Sequence, residues 1–386
     1  MTASLKTFEE CIEKVSYKSK IQRTEYLSDG KYPIVSQESN LVNGYWNHEN
    51  DLFIVDKPII VFGDHTRALK FVDFSFVLGA DGAKIIQPKS FIDSKYFYYF
   101  LQANPLEDKG YARHYRFLKE LKLAVPPLKT QERISAKLDE IFYEINKALE
   151  ATQTNVKNSE ALFQSYLNQV FGRGGDGWVE LQLQELLEKG WIVSHLDGNH
   201  GGDYPRKEEF VSSGVPYISA NCLDGDVLDL TKSKFLSKER ASKLRKGLAK
   251  NDDVLFAHNA TVGPVTILKT LEEITILGTS LTYYRCNKEF IEPEYLANYM
   301  RSAKFRNQYL TIMQQSTRNQ IPITKQREFF HVIPPLKTQK ELIQKFTVFL
   351  SMKSMYESQA LKKIEELLSL KKSILRQAFN GELVKD

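Results

Sequence analysis

The feature that most constrains the fold of this chain is a segment that occurs twice. Val125-Pro126-Pro127-Leu128-Lys129-Thr130-Gln131 recurs 208 residues later as Ile333-Pro334-Pro335-Leu336-Lys337-Thr338-Gln339. The same offset, without a gap, pairs Lys137 with Lys345, Leu162 with Leu370, Ser165 with Ser373, Leu167 with Leu375, Gln169 with Gln377 and Phe171 with Phe379. In-register matches of this length predict a duplicated structural unit.

A weaker echo lies upstream of each copy. Residues 91–96 are similar to residues 290–295, at an offset of 199, which predicts a longer loop in the second half before the Pro-Pro motif. The chain therefore alternates variable regions with repeat helices. The predicted limits are 1–125 for the first variable domain, 126–172 for the central helix, 173–177 for a linker, 178–331 for the second variable domain and 332–386 for the C-terminal helix.

Each repeat has the pattern of a long helix. The Pro-Pro pair ends the preceding strand, and Thr130 and Thr338 lie where N-caps are expected. No proline or glycine interrupts residues 128–171 or 336–380, so each helix has about 40 residues and spans roughly 60 Å. Apolar residues recur at heptad-like spacing, which predicts an antiparallel coiled coil of the two helices. The residues predicted for this seam and for partner docking are Ile134, Leu138, Ile141, Ile145, Leu162, Leu342, Phe346, Phe349, Leu367 and Ile374.

The two variable regions are rich in short β-branched and aromatic runs broken by glycine, for example at residues 51–62, 71–78 and 254–267. Helical pieces are predicted at 94–101, 237–250 and 292–301. The fold class is therefore α+β: two mixed α/β domains, each followed by a long helix, with a pseudo-twofold internal repeat.

Polar loops punctuate the predicted strands, and Arg, Lys, Asn, Gln and His are the side chains that read base edges in the major groove. A basic segment at residues 232–250 holds eight Lys or Arg and one acid, Glu239, and is a candidate for phosphate contacts. The DNA-binding candidates are His65, Thr66, Arg67, Arg113, Arg116, Asn199, His200, Lys243, Arg245, Lys246, His258, Asn259, Arg318, Asn319 and Gln320. Ordinary loop polarity and a solvated helix face are the alternative interpretations of these residues.

Sequence patterns of an enzyme are absent from this chain. It has no Walker motif, and its Pro-Pro pairs lack the polar and aromatic neighbours that a base-flipping methyltransferase needs. The spacing of His195, Asp197, His200 and Asp203 matches no strong metal pattern, so neither a metal nor a cofactor is expected. Three distant cysteines, no apolar signal core and no long apolar run favour a cytoplasmic protein without a membrane span.

The order of variable region, Pro-Pro-Leu-Lys-Thr-Gln helix, variable region and Pro-Pro-Leu-Lys-Thr-Gln helix resembles the specificity (S) subunit of type I restriction-modification systems. The resemblance is most specific at residues 124–171 and 332–381. Gly63-Asp64-His65-Thr66-Arg67 and Ser316-Thr317-Arg318-Asn319-Gln320 are similar to loops of the family's target-recognition domains. The match of the N-terminal segment to residues 178–190 is weak.

The resemblance implies that each variable region reads a short half-site of double-stranded DNA and that the helix pair sets the gap between half-sites. It implies docking of two methyltransferase (M) subunits, with restriction (R) subunits joining through them. S-adenosylmethionine, ATP and magnesium then belong to those partners. The chain itself is expected to be non-catalytic.

Three other interpretations are compatible with the residues. In these interpretations the chain is the specificity chain of a different modification system, a stand-alone bipartite DNA-binding regulator, or a coiled-coil scaffold. The neighbouring genes identify the first of these, and a gel-shift assay with the partner present distinguishes the other two.

Overall fold

A computed structural model describes residues 4–110, 112–200, 203–225, 227–314 and 319–384. The chain divides into two compact units. Unit 1 comprises residues 1–153 and 360–386, and unit 2 comprises residues 154–359. Each unit therefore combines one variable region with part of each long helix.

The described part of the first variable region consists of short strands and helices, and a long helix follows it. In chain order these are β1 (Ser4–Thr7), α1 (Phe8–Cys11), β2 (Ile12–Glu13), β3 (Tyr32–Val35), β4 (Gly44–Trp46), β5 (Leu52–Phe53), β6 (Ile59–Gly63), β7 (Leu69–Val72), β8 (Phe76–Leu78), β9 (Ala83–Pro88), α2 (Ser94–Ala103), α3 (Tyr115–Leu118), β10 (Lys122–Val125) and α4 (Leu128–Arg173).

The second variable region has a longer set of elements before its own long helix. In chain order these are β11 (Val179–Gln182), α5 (Leu183–Glu188), β12 (Ile192–Asp197), β13 (Phe210–Val211), β14 (Val215–Ile218), β15 (Leu223–Asp224), β16 (Val227–Leu228), β17 (Lys234–Leu236), α6 (Lys238–Ser242), β18 (Leu248–Ala249), β19 (Val254–Ala257), β20 (Val265–Ile267), β21 (Thr275–Leu277), β22 (Leu281–Cys286), α7 (Pro293–Arg301), α8 (Ala303–Gln314), α9 (Ile323–Gln326), β23 (Phe330–Ile333) and α10 (Leu336–Phe379).

The two variable regions share one sheet topology, although their sequences differ. Unit 1 has a four-stranded sheet in the order β2-β9-β6-β7 and a second in the order β4-β3-β8-β5. Unit 2 has the corresponding sheets β12-β22-β19-β20 and β13-β17-β14-β21-β18, with β13 added at one edge. In each second sheet one pair is parallel, β3 with β8 and β14 with β21. The predicted mixed α/β class with a duplicated domain is confirmed.

The central strands of these sheets are buried on both faces. Every residue of β6 (Ile-Ile-Val-Phe-Gly) and of β19 (Val-Leu-Phe-Ala) is buried. A strand covered on both sides has a continuous apolar run instead of alternation, which is what these two segments have. Helices α2 and α7 cover one face and contribute aromatic residues to the cores, among them Phe97 and Tyr295.

The weak sequence match of the N-terminal segment hides a structural equivalence. Strand β1 pairs with β10, and β11 pairs with β23, in both cases antiparallel and immediately before the long helix. A capping box follows each strand, Thr7 with Glu10 and Gln182 with Glu185. Both repeats are therefore closed by a strand that precedes the variable region in sequence.

The repeated glutamine of the Pro-Pro motif is the junction between variable region and helix. Gln131 Oε1 accepts from Asp93 N at 2.9 Å, and Gln131 Nε2 donates to Phe91 O at 3.0 Å and Pro126 O at 2.8 Å. The upstream echo at 91–96 thus packs on the motif that follows it. Its tyrosine contributes as well, because Tyr96 donates its hydroxyl to Ala124 O at 2.9 Å.

Within unit 2 the two long helices run antiparallel, as predicted. Glu160 forms an ion pair with Lys353 at 2.7 Å, and the ring of Phe171, further along α4, lies 6.0 Å from that of Phe346, earlier in α10. In unit 1 the opposite ends of these helices share one core. The seam residues buried or partly buried in the two cores are Ile134, Leu138, Ile141, Ile145, Leu342, Phe346, Phe349, Leu367 and Ile374.

The assignment of Leu162 to the seam is wrong. Its side chain is 61% exposed, and its repeat partner Leu370 is 48% exposed. The buried row starts one residue later, at Phe163, and continues through Leu167 and Phe171. The larger aromatic side chains bury more apolar area, so they take the inner face and turn Leu162 outward.

Three further details differ from expectation. The helices begin at Leu128 and Leu336, two residues before the expected threonine caps, because the carbonyl of the second proline of each motif accepts from the glutamine N–H. The predicted helix at 237–250 is only α6, since Gly247 has a φ of 66° and β18 follows. The extra length of the second half includes helix α8 rather than a longer loop.

Candidate nucleic-acid interface

In unit 1 two of the predicted polar loops contact each other. The loop between β6 and β7 contains Asp64, an acidic residue that is buried. Its carbonyl accepts from His114 N at 2.8 Å and from His114 Nδ1 at 3.0 Å, so Nδ1 carries the proton. Its carboxylate accepts from Tyr115 N at 2.7 Å. These bonds hold residues 112–116 against residues 63–67.

This anchoring determines which side chains of the two loops remain available for contacts with DNA. Arg113 and Arg116 are exposed on either side of the buried His114, and Thr66 is exposed on the facing loop. The hydroxyl of Thr66 donates to Gln37 O, and His65 is half-buried. Two guanidinium groups of this kind suit bidentate contacts to guanine or to phosphate.

Arg67, predicted to contact DNA, has hydrogen-bond acceptors within unit 1. Its guanidinium donates to Asp108 Oδ2 at 2.6 Å and to Leu106 O at 3.3 Å, so its charge is used within the protein. Its φ of 61° is unusual for a residue other than glycine. Both acceptors lie on the loop at 104–110, so Arg67 links this loop to residues 63–67.

Unit 2 has the corresponding pair of loops. His258 follows β19, and its carbonyl accepts from Ile321 N at 2.8 Å, while its Nδ1 donates to Ile321 O at 2.9 Å. Ala260 N donates to Asn319 O at 3.0 Å, and Asn259 forms a β-bridge with Gln320. Asn319 is exposed, and Asn259 and Gln320 are half-buried. Arg318 lies outside the described residues.

His258 is a correction to the list of base-reading candidates. Its side chain is 1% exposed, and burial lowers the pKa of the imidazole, so the ring is neutral at neutral pH. The buried ring bonds a backbone carbonyl and so holds its loop, and its surface is not open to a base edge. His114 occupies the same junction in unit 1, but it comes from the other loop of the pair.

A third polar region of unit 2 is formed by residues 197–200 and 245–247. Asn199 is 1% exposed, and its Nδ2 donates to Lys246 O at 2.6 Å. Asn199 is thus also a correction: its amide fixes the basic loop instead of reading a base. His200 is exposed and lies 2.5 Å from Asp197 Oδ2.

The basic segment 232–250 is only partly free to contact DNA. Arg240 pairs with Glu209 at 2.5 Å, and Lys243 pairs with Glu239 at 2.7 Å. Arg245 and Lys246 are exposed and have no ion pair among the residues that the structure describes. Because free cations release counterions when they meet phosphates, these two residues are the stronger phosphate candidates.

The anchors of the unit 2 loops are residues that sequence reasoning missed. Gln326 is fully buried, and its Oε1 accepts from His195 Nε2 at 3.1 Å, Thr282 Oγ1 at 3.0 Å and Tyr284 OH at 3.1 Å. Its Nε2 donates to Ile321 O at 3.3 Å. His195 and Gln326 are 131 residues apart in the chain, so no local sequence pattern indicates this contact.

The exposed groups of these loops are hydrogen-bonding and cationic side chains. Within the described ranges, no group of three or more His, Cys, Asp or Glu side chains has the placement of a metal site. Separately, no described helix is long and apolar enough to cross a bilayer. Unit 1 offers guanidinium groups and unit 2 offers amide, guanidinium and ammonium groups, all exposed or half-buried, on loops that buried polar residues fix in position.

Comparison with known proteins gives a consistent family. The family model described as type I restriction modification DNA specificity domain matches residues 6–155 and 175–366. The specificity subunit of the type I restriction enzyme EcoKI of Escherichia coli K12 is 22% identical, covering 99% of this chain and 88% of that protein. The EcoBI specificity subunit of Escherichia coli is 18% identical, covering 88% of this chain and 75% of that protein.

A solved structure has the same fold over the whole length. It comes from a study described as the structural basis of complex assembly and conformational transition of the type I R-M system. It has a TM-score of 0.71 at 16% identity, and covers 99% of this chain and 98% of that one.

Proposed function

This chain belongs to the type I restriction-modification DNA specificity family and is a specificity subunit, and from that premise we propose that its two units read two different half-sites of one bipartite DNA target. The observation that carries the proposal is that in both units hydrogen bonds between buried groups join two polar loops, which we call the loop frame. The exposed side chains on this frame differ between the units. In unit 1 Asp64 O accepts from His114 N, and in unit 2 His258 O accepts from Ile321 N, both at 2.8 Å.

The frame and the readers have separate tasks. The frame consists of buried groups, whose geometry is set by protein contacts alone. The readers are exposed: Arg113 and Arg116 in unit 1, and Asn319 with the half-buried Asn259 and Gln320 in unit 2. Arginine pairs best with guanine, whereas asparagine and glutamine pair best with adenine. Different readers on equal frames support an asymmetric target.

Affinity comes from phosphate contacts that carry no sequence information. Arg245 and Lys246 have this role in the proposal, with His200 at the neighbouring loop. The backbone of Lys246 is fixed by Asn199, whose Oδ1 accepts from Lys246 N at 3.3 Å. Held cations of this kind position the duplex for the reading loops.

The helix pair supplies the spacing and the docking surfaces in this proposal. Helices α4 and α10 have 46 and 44 residues, or roughly 70 Å each at 1.5 Å per residue. The repeated motif keeps identical residues at exposed positions, such as Lys129 and Lys337. Folding does not require identity at exposed positions, so we assign this surface to two copies of one partner, the methyltransferase subunit.

Catalysis is assigned to the partners. Methyl transfer and cleavage, with S-adenosylmethionine, ATP and magnesium, belong to the methyltransferase subunits and to the restriction subunits that join through them. The complex acts on cellular DNA, so we propose a cytoplasmic location. A stand-alone regulator is less favoured, because exposed apolar residues such as Leu162 and Leu370 on the long helices have no function without a partner.

Co-purification followed by a gel-shift assay tests this proposal. The chain is expressed with the methyltransferase subunit encoded beside it, and the complex is offered a random DNA pool for selection. Two short defined sequences separated by a fixed unspecified gap are expected. Selection of one continuous sequence, or specific binding by this chain without the partner, would argue against it.

A further inference from the structure

Unit 1 contains a cavity of about 480 Å³ between the β6–β7 hairpin, the C-terminal end of α2 and the second half of α10. The buried apolar residues that line it are Phe62, Leu101, Leu118 and Leu375. At its rim Leu368 is 46% exposed. Small-molecule sites have volumes in this range and are lined mostly by apolar side chains with a few polar groups. The cavity therefore has the size and the apolar lining of a ligand site.

The charged groups that line this cavity are all cationic. They are Arg67, Lys371 and Lys372, and none of the described lining residues is acidic. Arg67 is already paired with Asp108, whereas the two lysines have no ion pair among the described residues. A positive charge beside an apolar wall costs free energy unless an anion pairs with it. The two ammonium groups therefore favour an anionic occupant.

Lys371 is held by neutral groups. Its Nζ lies 4.7 Å from the centroid of the Phe142 ring and donates to Asn146 Oδ1 at 3.4 Å. Burial lowers the pKa of this ammonium group, and no carboxylate counteracts the shift. A bound anion would supply the opposite charge that the chain itself does not place here.

Arg67 contributes a further unsatisfied group to the cavity wall. Its Nη1 and Nη2 donate to Leu106 O and to Asp108 Oδ2. Its Nε–H is buried and has no acceptor among the described residues. A buried donor without a partner is destabilising. An oxygen atom of a bound anion would satisfy it.

Unit 2 has a cavity of about 500 Å³ at the equivalent place, with different side chains. At the offset of 208, the corresponding lining residues are Leu368 with Glu160, Lys371 with Phe163 and Lys372 with Gln164. At the offset of 199, Leu101 corresponds to Met300 in the same way. Glu160 is paired with Lys353 at 2.7 Å. The lysine pair is therefore a property of unit 1 and not of the duplicated fold.

We propose that the cavity of unit 1 binds a small aliphatic carboxylate, whose apolar chain packs on the leucine side chains and whose carboxylate is held by Lys371 and Lys372, with Arg67 Nε as a further donor. The site goes beyond the proposed function, since binding of this ligand requires neither DNA nor a partner protein. Because Arg67 also links the loop at 104–110 to residues 63–67, the bound carboxylate stabilises this part of unit 1.

Isothermal titration calorimetry of the purified chain with octanoate tests the site. We expect a one-to-one complex, and octan-1-ol, which has the same chain length without the charge, is expected to bind more weakly by about tenfold or more. Lys371→Gln/Lys372→Gln removes both ammonium groups and should weaken octanoate binding by a similar factor without changing that of octanol. Leu368→Glu, which copies unit 2, should also weaken octanoate binding, because it places a like charge at the rim.

A matched control and a second readout complete the design. Lys363→Gln removes an exposed lysine of the same helix that does not line the cavity, and it is expected to leave octanoate binding unchanged. All variants are first compared with the unaltered chain in helix content and thermal midpoint, so that a loss of binding is not a loss of the fold. Octanoate should raise the thermal midpoint of the unaltered chain but not that of the double lysine variant.

Four results would overturn the inference, and each of them leaves the proposed function in place. Absence of octanoate binding would show that the cavity is not a site for this ligand class. Equal affinity for octanoate and octanol would show that the lysines do not select an anion. Unchanged octanoate binding by the double lysine variant would place the carboxylate elsewhere on the chain. An equal loss in the Lys363 variant would show attraction by overall charge and not by this cavity.

Discussion

Gln131 and Gln339, 208 residues apart, make the same three hydrogen bonds in the two repeats. Gln339 Oε1 accepts from Glu292 N at 2.9 Å, and its Nε2 donates to Phe290 O at 2.8 Å and Pro334 O at 2.9 Å. Both side chains are fully buried. The motif is therefore retained because one amide side chain satisfies three backbone groups where each variable region meets its helix.

Replacement of either glutamine is expected to be costly. Gln131→Ala or Gln339→Ala leaves one N–H and two carbonyls without their partner, which predicts a loss of about 2–4 kcal/mol in the free energy of unfolding. Urea unfolding followed by circular dichroism measures it. Lys129→Ala, two positions away and exposed, serves as the control and is expected to change stability by under about 0.5 kcal/mol. Equal stability of the Gln131 and Lys129 variants would contradict this account of the motif.

The reading loops are expected to act on separate half-sites. Arg113→Ala should weaken recognition of the first half-site, and Asn319→Ala that of the second, each by about 1–3 kcal/mol if the residue contacts a base. Binding of the complex to targets altered in one half at a time measures both effects, and each variant controls the other. A loss that is the same for every DNA sequence would remove these side chains from base reading.

The phosphate candidates are expected to change affinity without changing sequence preference. Arg245→Ala and Lys246→Ala should each weaken binding to specific and unspecific DNA alike and lower the slope of log affinity against log salt by about 1. Fluorescence anisotropy at several salt concentrations provides the slope. Lys243→Ala is a matched control, because Lys243 is already paired with Glu239. A Lys243 variant with a larger effect than the Arg245 variant would reverse the assignment.

Unit 2 is expected to lose stability on acidification. Burial lowers the pKa of His195 to about 3 and that of His331 to about 4, whereas the unfolded chain has a histidine pKa near ~6.5. Below pH ~6.5 these two histidines bind protons in the unfolded chain but not in the folded chain. Their contribution to the free energy of unfolding is therefore complete above that pH and is lost as the pH falls. At pH 5 the lowered pKa of each histidine decreases the free energy of unfolding by roughly 2 kcal/mol.

Chemical unfolding at pH 7.5 and pH 5 tests this expectation. The double variant His195→Gln/His331→Gln is compared with the unaltered chain at both pH values, since other groups also titrate. The unaltered chain should lose more stability between the two conditions than the variant does. An identical loss in both proteins would show that these histidines do not control the pH response.

How much of the structure can be predicted from the sequence depends on how close together in the chain the interacting residues lie. The long helices follow from the uninterrupted apolar rows of residues 128–171 and 336–380, which lie within one element. The seam was misplaced at Leu162 because periodicity alone does not choose between neighbouring residues, and the larger Phe163 decides the inner face. The pairing of β1 with β10 was missed because a four-residue strand carries too little pattern.

The candidate interface shows the same limit. The polar loops could be predicted, because glycine and polar clusters mark them locally. Their anchoring could not be predicted, since Asp64 meets His114 across 50 residues and His258 meets Ile321 across 63. Burial separates anchors from readers, and it depends on contacts of that range. Sequence type alone therefore grouped His258 and Asn199 with residues that remain exposed.

The most direct test of the central claim, that two units read two half-sites, is a methylome. The chain is expressed with its methyltransferase subunit in a host without such marks, and methyladenine is located by sequencing, for the unaltered chain and for Asn319→Ala. The account predicts a split motif with two short defined halves, absent without this chain, and a change confined to one half in the variant. A continuous motif, or methylation that does not depend on this chain, would contradict it.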